Sequence, residues 1–359
     1  MRRALLLLCL AASPRSAALE IVFTDIGPAN GVSALSSQTL AGFQSAADLW
    51  ESLLDDPVTV RVNVATYDFG PGMSNVIGFA NSEIYWDTYA SLRTAWIADA
   101  SSATDDAVLG RLPAGPAYTR RINRTTDLAD PAQPVLAATD IIYLNGGNAK
   151  ALGLIPAHNA AADALIAFNS AFAFDYNRAD GVAPGQMDFV GVAAHEIGHA
   201  LGFISIVDYL DSGDPPLATA EAGHMPLDFL RYSAASFQLG VTDTSIDNLP
   251  RFLAFGNLGV AMSTGVNLGD GEQASHFVDN AGLGMMDPTA SFGELRTFTG
   301  YDLMAFDAIG WDLSPEALAL AASAMAAIPE PSTLALAGSA LALALAARRR
   351  RGRSSGVFR

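Results

Sequence analysis

The sequence holds a single cysteine, Cys9, in 359 residues. An intramolecular disulfide is therefore excluded, and stability has to come from a packed core or a bound metal. Basic charge is scarce as well. Nine of the 20 basic residues sit at the ends: Arg2, Arg3 and Arg15 at one, and six arginines from Arg348 to Arg359 at the other. The body between them keeps 11 basic residues, with Lys150 its only lysine, against 36 of the 37 acidic ones, so the chain's net charge of −17 becomes −25 for the body. A surface this acidic repels phosphate backbones and argues against a nucleic-acid partner. It would suit calcium, but no EF-hand loop is present. A membrane-spanning run is lacking too. The longest apolar stretch at the C-terminus covers 15 residues, short of the ~20 a helix needs to cross a bilayer. Half of the residues are hydrophobic and 16% are charged, which allows a sizeable core and excludes bulk disorder.

The two ends read as addresses. Residues 1–18 have a positive start (Arg2, Arg3), an apolar run from Ala4 to Ala12 and small residues at Ser16-Ala17-Ala18, the order of a secretory signal. At the other end, Pro329-Glu330-Pro331 precedes an apolar stretch from Thr333 to Ala347 and the cluster Arg348 to Arg351. Terminal arginines can snorkel and extend the reach of such a stretch, and their charge favours the cytoplasmic side. This tail, residues 329–359, resembles the PEP-CTERM sorting signals of exported bacterial proteins. The resemblance implies export, transient membrane anchoring, and recognition and cleavage by an exosortase-type enzyme. A simple tail anchor is the plainer alternative. Residues 314–328 form an alanine-rich linker, with Ser314 and Pro315 suited to start a helix. The folded body is expected over residues 19–313, without internal repeats.

Within the body, residues 36–54 read as an amphipathic helix, and residues 58–64 (VTVRVNV) alternate as a strand. A second helix is expected over 84–97, and further strands over 140–144 and 171–176. Residues 181–185 form a loop. Asp188 can cap a helix from Phe189 to about Leu201 that ends at Gly202. Thr299 and Asp302 fit a capping box for a late helix stopping at Gly310. Helix and strands, then a buried helix, then an irregular half suggest an α+β body of two lobes with a cleft between them. Asn123-Arg124-Thr125 matches a glycosylation sequon and is read as a surface loop only.

The chemistry concentrates in VAAHEIGHALGF, Val192 to Phe203. On a helix, His195 and His199 lie on one face about 6 Å apart along the axis, where two imidazoles can bind one zinc ion. Glu196 can reach a water on that metal and act as general base in attack on a peptide carbonyl. The flanks are apolar nearly all round, so the helix is buried. Two histidines and a glutamate buried there are costly without a compensating ion. Two core histidines satisfied by hydrogen bonds remain the bland reading.

The motif resembles the zincin metallopeptidases, and HEIGHALGF looks most like their metzincin branch. There the glycine matched by Gly202 turns the chain towards a third histidine. This sequence departs from that pattern, with Ser205, a poor zinc ligand, at the third-ligand position. His158, His224, Glu221 and His276 are the candidates to complete the site. His276 is followed ten residues later by Met285-Met286, an order that resembles the leishmanolysin group, where a long insertion precedes the third histidine and a methionine turn packs beneath the metal. The resemblance implies His276 as third ligand and Met286 as the turn residue, whereas ordinary core filling also explains the methionine pair. It runs from about Val190 to Leu313, and the whole chain looks like a family of PEP-CTERM-tailed bacterial metalloproteases. Some metzincins place a tyrosine two residues after the turn methionine; here Pro288 stands there, and Tyr209, Tyr232 and Tyr301 are the candidate donors. No cysteine follows Cys9, which rules out a cysteine-switch propeptide. The expected function is a secreted zinc endopeptidase acting on protein or peptide substrates. Two rivals are an extracellular matrix or binding protein that keeps the zinc without turnover, and a zinc amidase acting on cell-wall peptides.

Overall fold

The structure is a computed structural model that describes residues 18–123, 134–212, 223–256 and 258–327. Cys9, the expected export signal up to residue 17, Glu221, the sequon's Arg124 and Thr125, and the sorting tail lie outside them. Its helices are α1 (Ser37–Glu51), α2 (Tyr89–Asp99), α3 (Ala103–Leu109), α4 (Gly146–Ala151), α5 (Phe189–Ala200), α6 (Ile206–Ser212), α7 (Ala234–Leu239), α8 (Gly300–Ala308) and α9 (Pro315–Ala327). The strands that frame the site are β1 (Glu20–Asp25), β2 (Thr59–Tyr67), β3 (Gly78–Ser82), β4 (Ile84–Thr88), β5 (Tyr118–Asn123), β6 (Pro134–Thr139), β7 (Ile141–Asn145) and β8 (Ala164–Asn169).

The main sheet has the order β1-β2-β8-β3. The first three strands run parallel, and β3 closes one edge antiparallel to β8, with Gly78 opposite Phe168. The alternation in VTVRVNV shows in the burial of Val60, Val62 and Val64. Helix α1 starts where the Ser36 side chain accepts a hydrogen bond from the Thr39 amide (3.0 Å). Its buried face carries Phe43, Ala46, Ala47 and Trp50, the spacing of one helical stripe. That stripe packs on α5. The Phe43 ring meets Phe189 edge-on at 5.1 Å, and the approach is so close that a Cβ on Gly42 would stand 2.5 Å from the Phe189 ring. Lys150 is buried on α4 and pairs with Asp163 at 2.6 Å while donating to the Thr59 carbonyl at 2.8 Å. The burial cost of the one lysine is offset by a complete set of partners.

Three expectations change. Residues 84–97 are not one helix: β4 takes 84–88 and pairs antiparallel with β7, and only then does Thr88 cap α2 through the Ser91 amide at 3.2 Å. The β-forming run Ile84-Tyr85-Trp86 wins over the helical spacing. Pairing expected over 171–176 falls mostly on β8, because Asn169 turns the chain by accepting from the Ala171 amide at 3.1 Å, and only Phe174–Asp175 pairs beyond it. Residues 315–327, expected as a linker, form α9 docked on α8, with Ala317 and Ala321 buried. A Cβ on Gly300 would lie 2.5 Å from the Ala324 Cβ, so α9 belongs to the body.

Beyond α5 the chain is irregular, as the glycine-rich composition implies. Arg231–Tyr232, Arg251–Phe255 and Leu258–Met262 form a small antiparallel sheet. Near the end of α8 the acidic excess of the body becomes local. Burial, with repulsion from Asp312, Asp105 and Asp307, pushes Asp99 up to about 7. A carboxyl raised in the fold stabilises it below the unfolded pKa and loses that contribution as pH rises through about 7. Asp99→Asn should therefore raise stability relative to the parent at both pH values, and by clearly more at pH 8 than at pH 5, as read by urea unfolding. Equal effects at the two would contradict the assignment.

Candidate metal centre

Helix α5 is buried at every position from Phe189 to Ala200. Asp188 caps its start, accepting from the Gly191 amide at 3.0 Å. Carbonyls at its end have no intrahelical partners, and side chains from distant segments supply them. Asn145 Nδ2 donates to His199 O (3.1 Å) and Ala200 O (2.6 Å), and Trp311 Nε1 donates to Leu201 O (2.7 Å). Farther up, Trp50 Nε1 donates to Ala194 O at 2.8 Å. Gly202 then reverses the chain at φ +119°, a conformation that L side chains rarely adopt.

The structure brings His195 and His199 of α5 together with His276. Their Nε2 atoms form a triangle with sides of 3.1, 3.1 and 3.2 Å. Each Nδ1 faces a backbone carbonyl instead: Met285 O for His195 (2.8 Å), Phe203 O for His199 (2.8 Å) and Gln273 O for His276 (3.2 Å). With the Nδ1 protons donated outward, three Nε2 lone pairs point at one spot. Ligands of a tetrahedral metal at ~2.0–2.1 Å stand roughly 3.3 Å apart, close to the sides of this triangle. Burial holds all three imidazoles neutral: His199 is pushed down to about 4, and His195 and His276 well below the usual range, with mutual repulsion adding to the latter two. Neutral imidazoles are the form a metal takes. Among the described residues this triad is the one group of three or more His, Cys, Asp or Glu side chains placed to share a metal ion. Three imidazoles suit zinc, copper, iron or nickel.

Glu196 is buried beside the triad, and desolvation pushes it up to about 8, with Arg296 pulling the other way. Its Oε1 lies 3.2 Å from where a Cβ on Gly78 would be, so the edge strand β3 presses against the carboxylate where it carries no side chain. The methionine pair lies below. The Met286 sulfur would be 2.6 Å from a Cβ on Gly198, which places the thioether against α5 between the two histidine turns. Asp302, the capping residue of α8, also fixes this loop by accepting from the Met285 amide (2.9 Å) and the Met286 amide (3.1 Å).

Ser205 has a different task from a ligand. Its amide donates to Ser275 Oγ at 2.8 Å, and its hydroxyl donates to Asp228 at 2.5 Å. Asp208 accepts from the Ala274 and Ser275 amides at 2.6 and 3.1 Å. The segment after α5 thus anchors the residues just before His276. Two other candidates lie elsewhere: His224 is fully buried with Nε2 on Thr242 Oγ1 at 2.7 Å, and His158 Nδ1 contacts Thr59 Oγ1 at 2.9 Å. Tyr232 packs with Phe237 and Phe252, and Tyr301 lies on α8 against the main core. Sequence reasoning missed Gly78, Asp208, Asn145 and Arg296, which lie in segments without a periodic signal. Only the scarcity of basic residues in the body marks Arg296 as unusual.

A family model of the PEP-CTERM protein-sorting motif matches residues 327–351. The chain is accordingly an exported protein sorted at its C-terminus, carrying the signal an exosortase-type enzyme recognises. No curated protein and no solved structure matches the chain. Among the described residues no helix is long and apolar enough to cross a membrane.

Gly284, which opens the methionine loop, has φ +140°, and a Cβ there would fall 2.0 Å from Asp302 Oδ2. Gly284→Ala should combine backbone strain with displacement of a buried carboxylate and destabilise the protein by about 2 kcal/mol or more. A thermal unfolding midpoint equal to the parent's would refute this.

Proposed function

We propose that the exported chain is a zinc-dependent endopeptidase with an α+β, zincin-like body, in which His195, His199 and His276 hold the metal and Glu196 is the general base. The observation that carries this reading is the convergence of three Nε2 atoms beside a buried carboxylate on the same helix. A purely structural zinc site closes with four protein ligands and has no use for a base. A three-nitrogen set leaves one coordination position open, which favours turnover over a matrix or binding role.

When bound, zinc supplies Lewis acidity and lowers the pKa of a water to about 7. Glu196 takes the proton of the attacking water and delivers it to the leaving amine. A dication beside the carboxylate favours its ionised form and opposes the upward push of burial. The edge strand supports a peptide substrate. β3 pairs with β8 on one side only, and an extended peptide can add to the other by main-chain hydrogen bonds. Gly78 of this edge strand abuts Glu196, which brings the edge next to the base. The methionine loop beneath the histidines and the late third histidine are features shared with the leishmanolysin-like metzincins. The sorting tail points to a bacterial source and to transient membrane anchoring before release or surface attachment.

Two measurements test the proposal. Glu196→Gln should keep about one zinc per chain and lose hydrolysis of casein by at least ~100-fold; full activity in a clean preparation would sink the mechanism. His276→Ala should strip the metal, whereas His224→Ala should keep most of it, as read by metal analysis after dialysis. The reverse pattern would overturn the ligand set.

A further inference from the structure

Arg296 is buried, and its guanidinium reaches into the methionine loop. Nη2 donates to Met285 O at 2.7 Å and to Asp287 O at 2.8 Å, and Nη1 donates to Thr289 O. Three carbonyls, at alternate positions of one loop, are gathered by one planar fork. The backbone of Arg296 is held in turn, its amide donating to Asp188 Oδ2 at 3.1 Å, the carboxylate that caps α5 through its other oxygen. The loop is therefore registered against the start of the metal helix.

The same Nη2 lies 3.3 Å from His195 Nδ1. A guanidinium nitrogen of this kind carries two protons and no acceptor. Its two protons face three acceptors, and the carbonyls at 2.7 and 2.8 Å are closer than Nδ1 at 3.3 Å, which is left the weak arm of a shared hydrogen bond. The shorter contact of Nδ1 is outward, as a donor to Met285 O at 2.8 Å. That carbonyl has two lone pairs and accepts from both neighbours. With its proton on Nδ1, His195 keeps Nε2 bare and aimed at Nε2 of His199 and His276.

We infer that Arg296 is a positioning residue that sets the tautomer of His195, by pinning the Met285 carbonyl and by committing its Nη2 protons chiefly to carbonyls. The inference rests on the metal-binding part of the function proposed above and not on turnover. A lysine at this position breaks both conditions. It has one nitrogen in place of a fork, cannot gather three carbonyls, and leaves an N–H free to donate to Nδ1. That donation moves the imidazole proton to Nε2 and blocks the ligand atom.

The test uses the full chain with its histidines labelled with nitrogen-15, metal-free at neutral pH, followed by titration with zinc ions alone. In the parent, the nitrogen shifts should show His195 as a single tautomer protonated on Nδ1. In Arg296→Lys, the Nε2-protonated form of His195 should appear and zinc affinity should fall by about 10–100-fold, while the His199 tautomer, fixed by Phe203 O, stays unchanged. Arg296→Gln, which retains one donor nitrogen, should fall between them. A parent His195 protonated on Nε2 overturns the inference whatever the variants do. So does a folded Arg296→Lys protein with the parent tautomer and an affinity within about twofold. If both variants unfold, Arg296 is a pillar of the fold and the positioning role is overturned as well. No readout involves peptide cleavage, so a protein that binds zinc as expected but never hydrolyses casein would fail the peptidase reading and leave this one standing.

Discussion

Three bare imidazole nitrogens within 3.2 Å of one another in a buried site repel unless a cation sits among them, and much of the molecule works to hold them there. Two come from one turn of α5. The third arrives 77 residues later on a segment with no regular structure. Each ring is fixed through its other nitrogen by a main-chain carbonyl, so the positions of three loops decide whether the lone pairs meet. That places the precision of the site in hydrogen-bonded backbone rather than in side-chain packing.

The loops are fixed in turn by buried carboxylates. Asp188 caps α5 and holds Arg296, Asp302 caps α8 and holds the methionine pair, Asp208 holds the residues before His276, and Asp228 holds Ser205. Each accepts hydrogen bonds from backbone amides that would otherwise be orphaned in a dry interior. Part of the acidity of the chain is thus internal scaffolding, and it substitutes for the disulfides that an exported protein with one cysteine cannot make. Arg231, Arg251 and Lys150 are likewise buried, among carboxylates and carbonyls.

The sorting signal meets this body directly. Its match begins at residue 327, where α9 ends, and α9 is packed on α8. Because α8 carries the carboxylate that fixes the methionine loop, α9 and the histidine triad are joined through two helices in contact.

The sequence by itself determined what depends on local spacing. The i, i+4 histidines with Glu196, the cap at Asp188, the turn at Gly202 and the box at Thr299 and Asp302 are each written within a few residues, because helix periodicity and capping act over one turn, and the sorting motif is equally local. His276 and Met286 were legible only through resemblance to a known order of motifs. Ser205 marked where that order broke, without saying what had replaced it. The tertiary structure alone decided that Ser205 and Asp208 anchor the His276 segment, that Gly78 lies against Glu196, that 84–97 splits into strand and helix, and that Arg296 reaches the back of His195. Those contacts join residues up to more than 100 positions apart. In most of them one partner is a backbone group, which carries no residue identity, so no pattern of side chains along the chain can announce them.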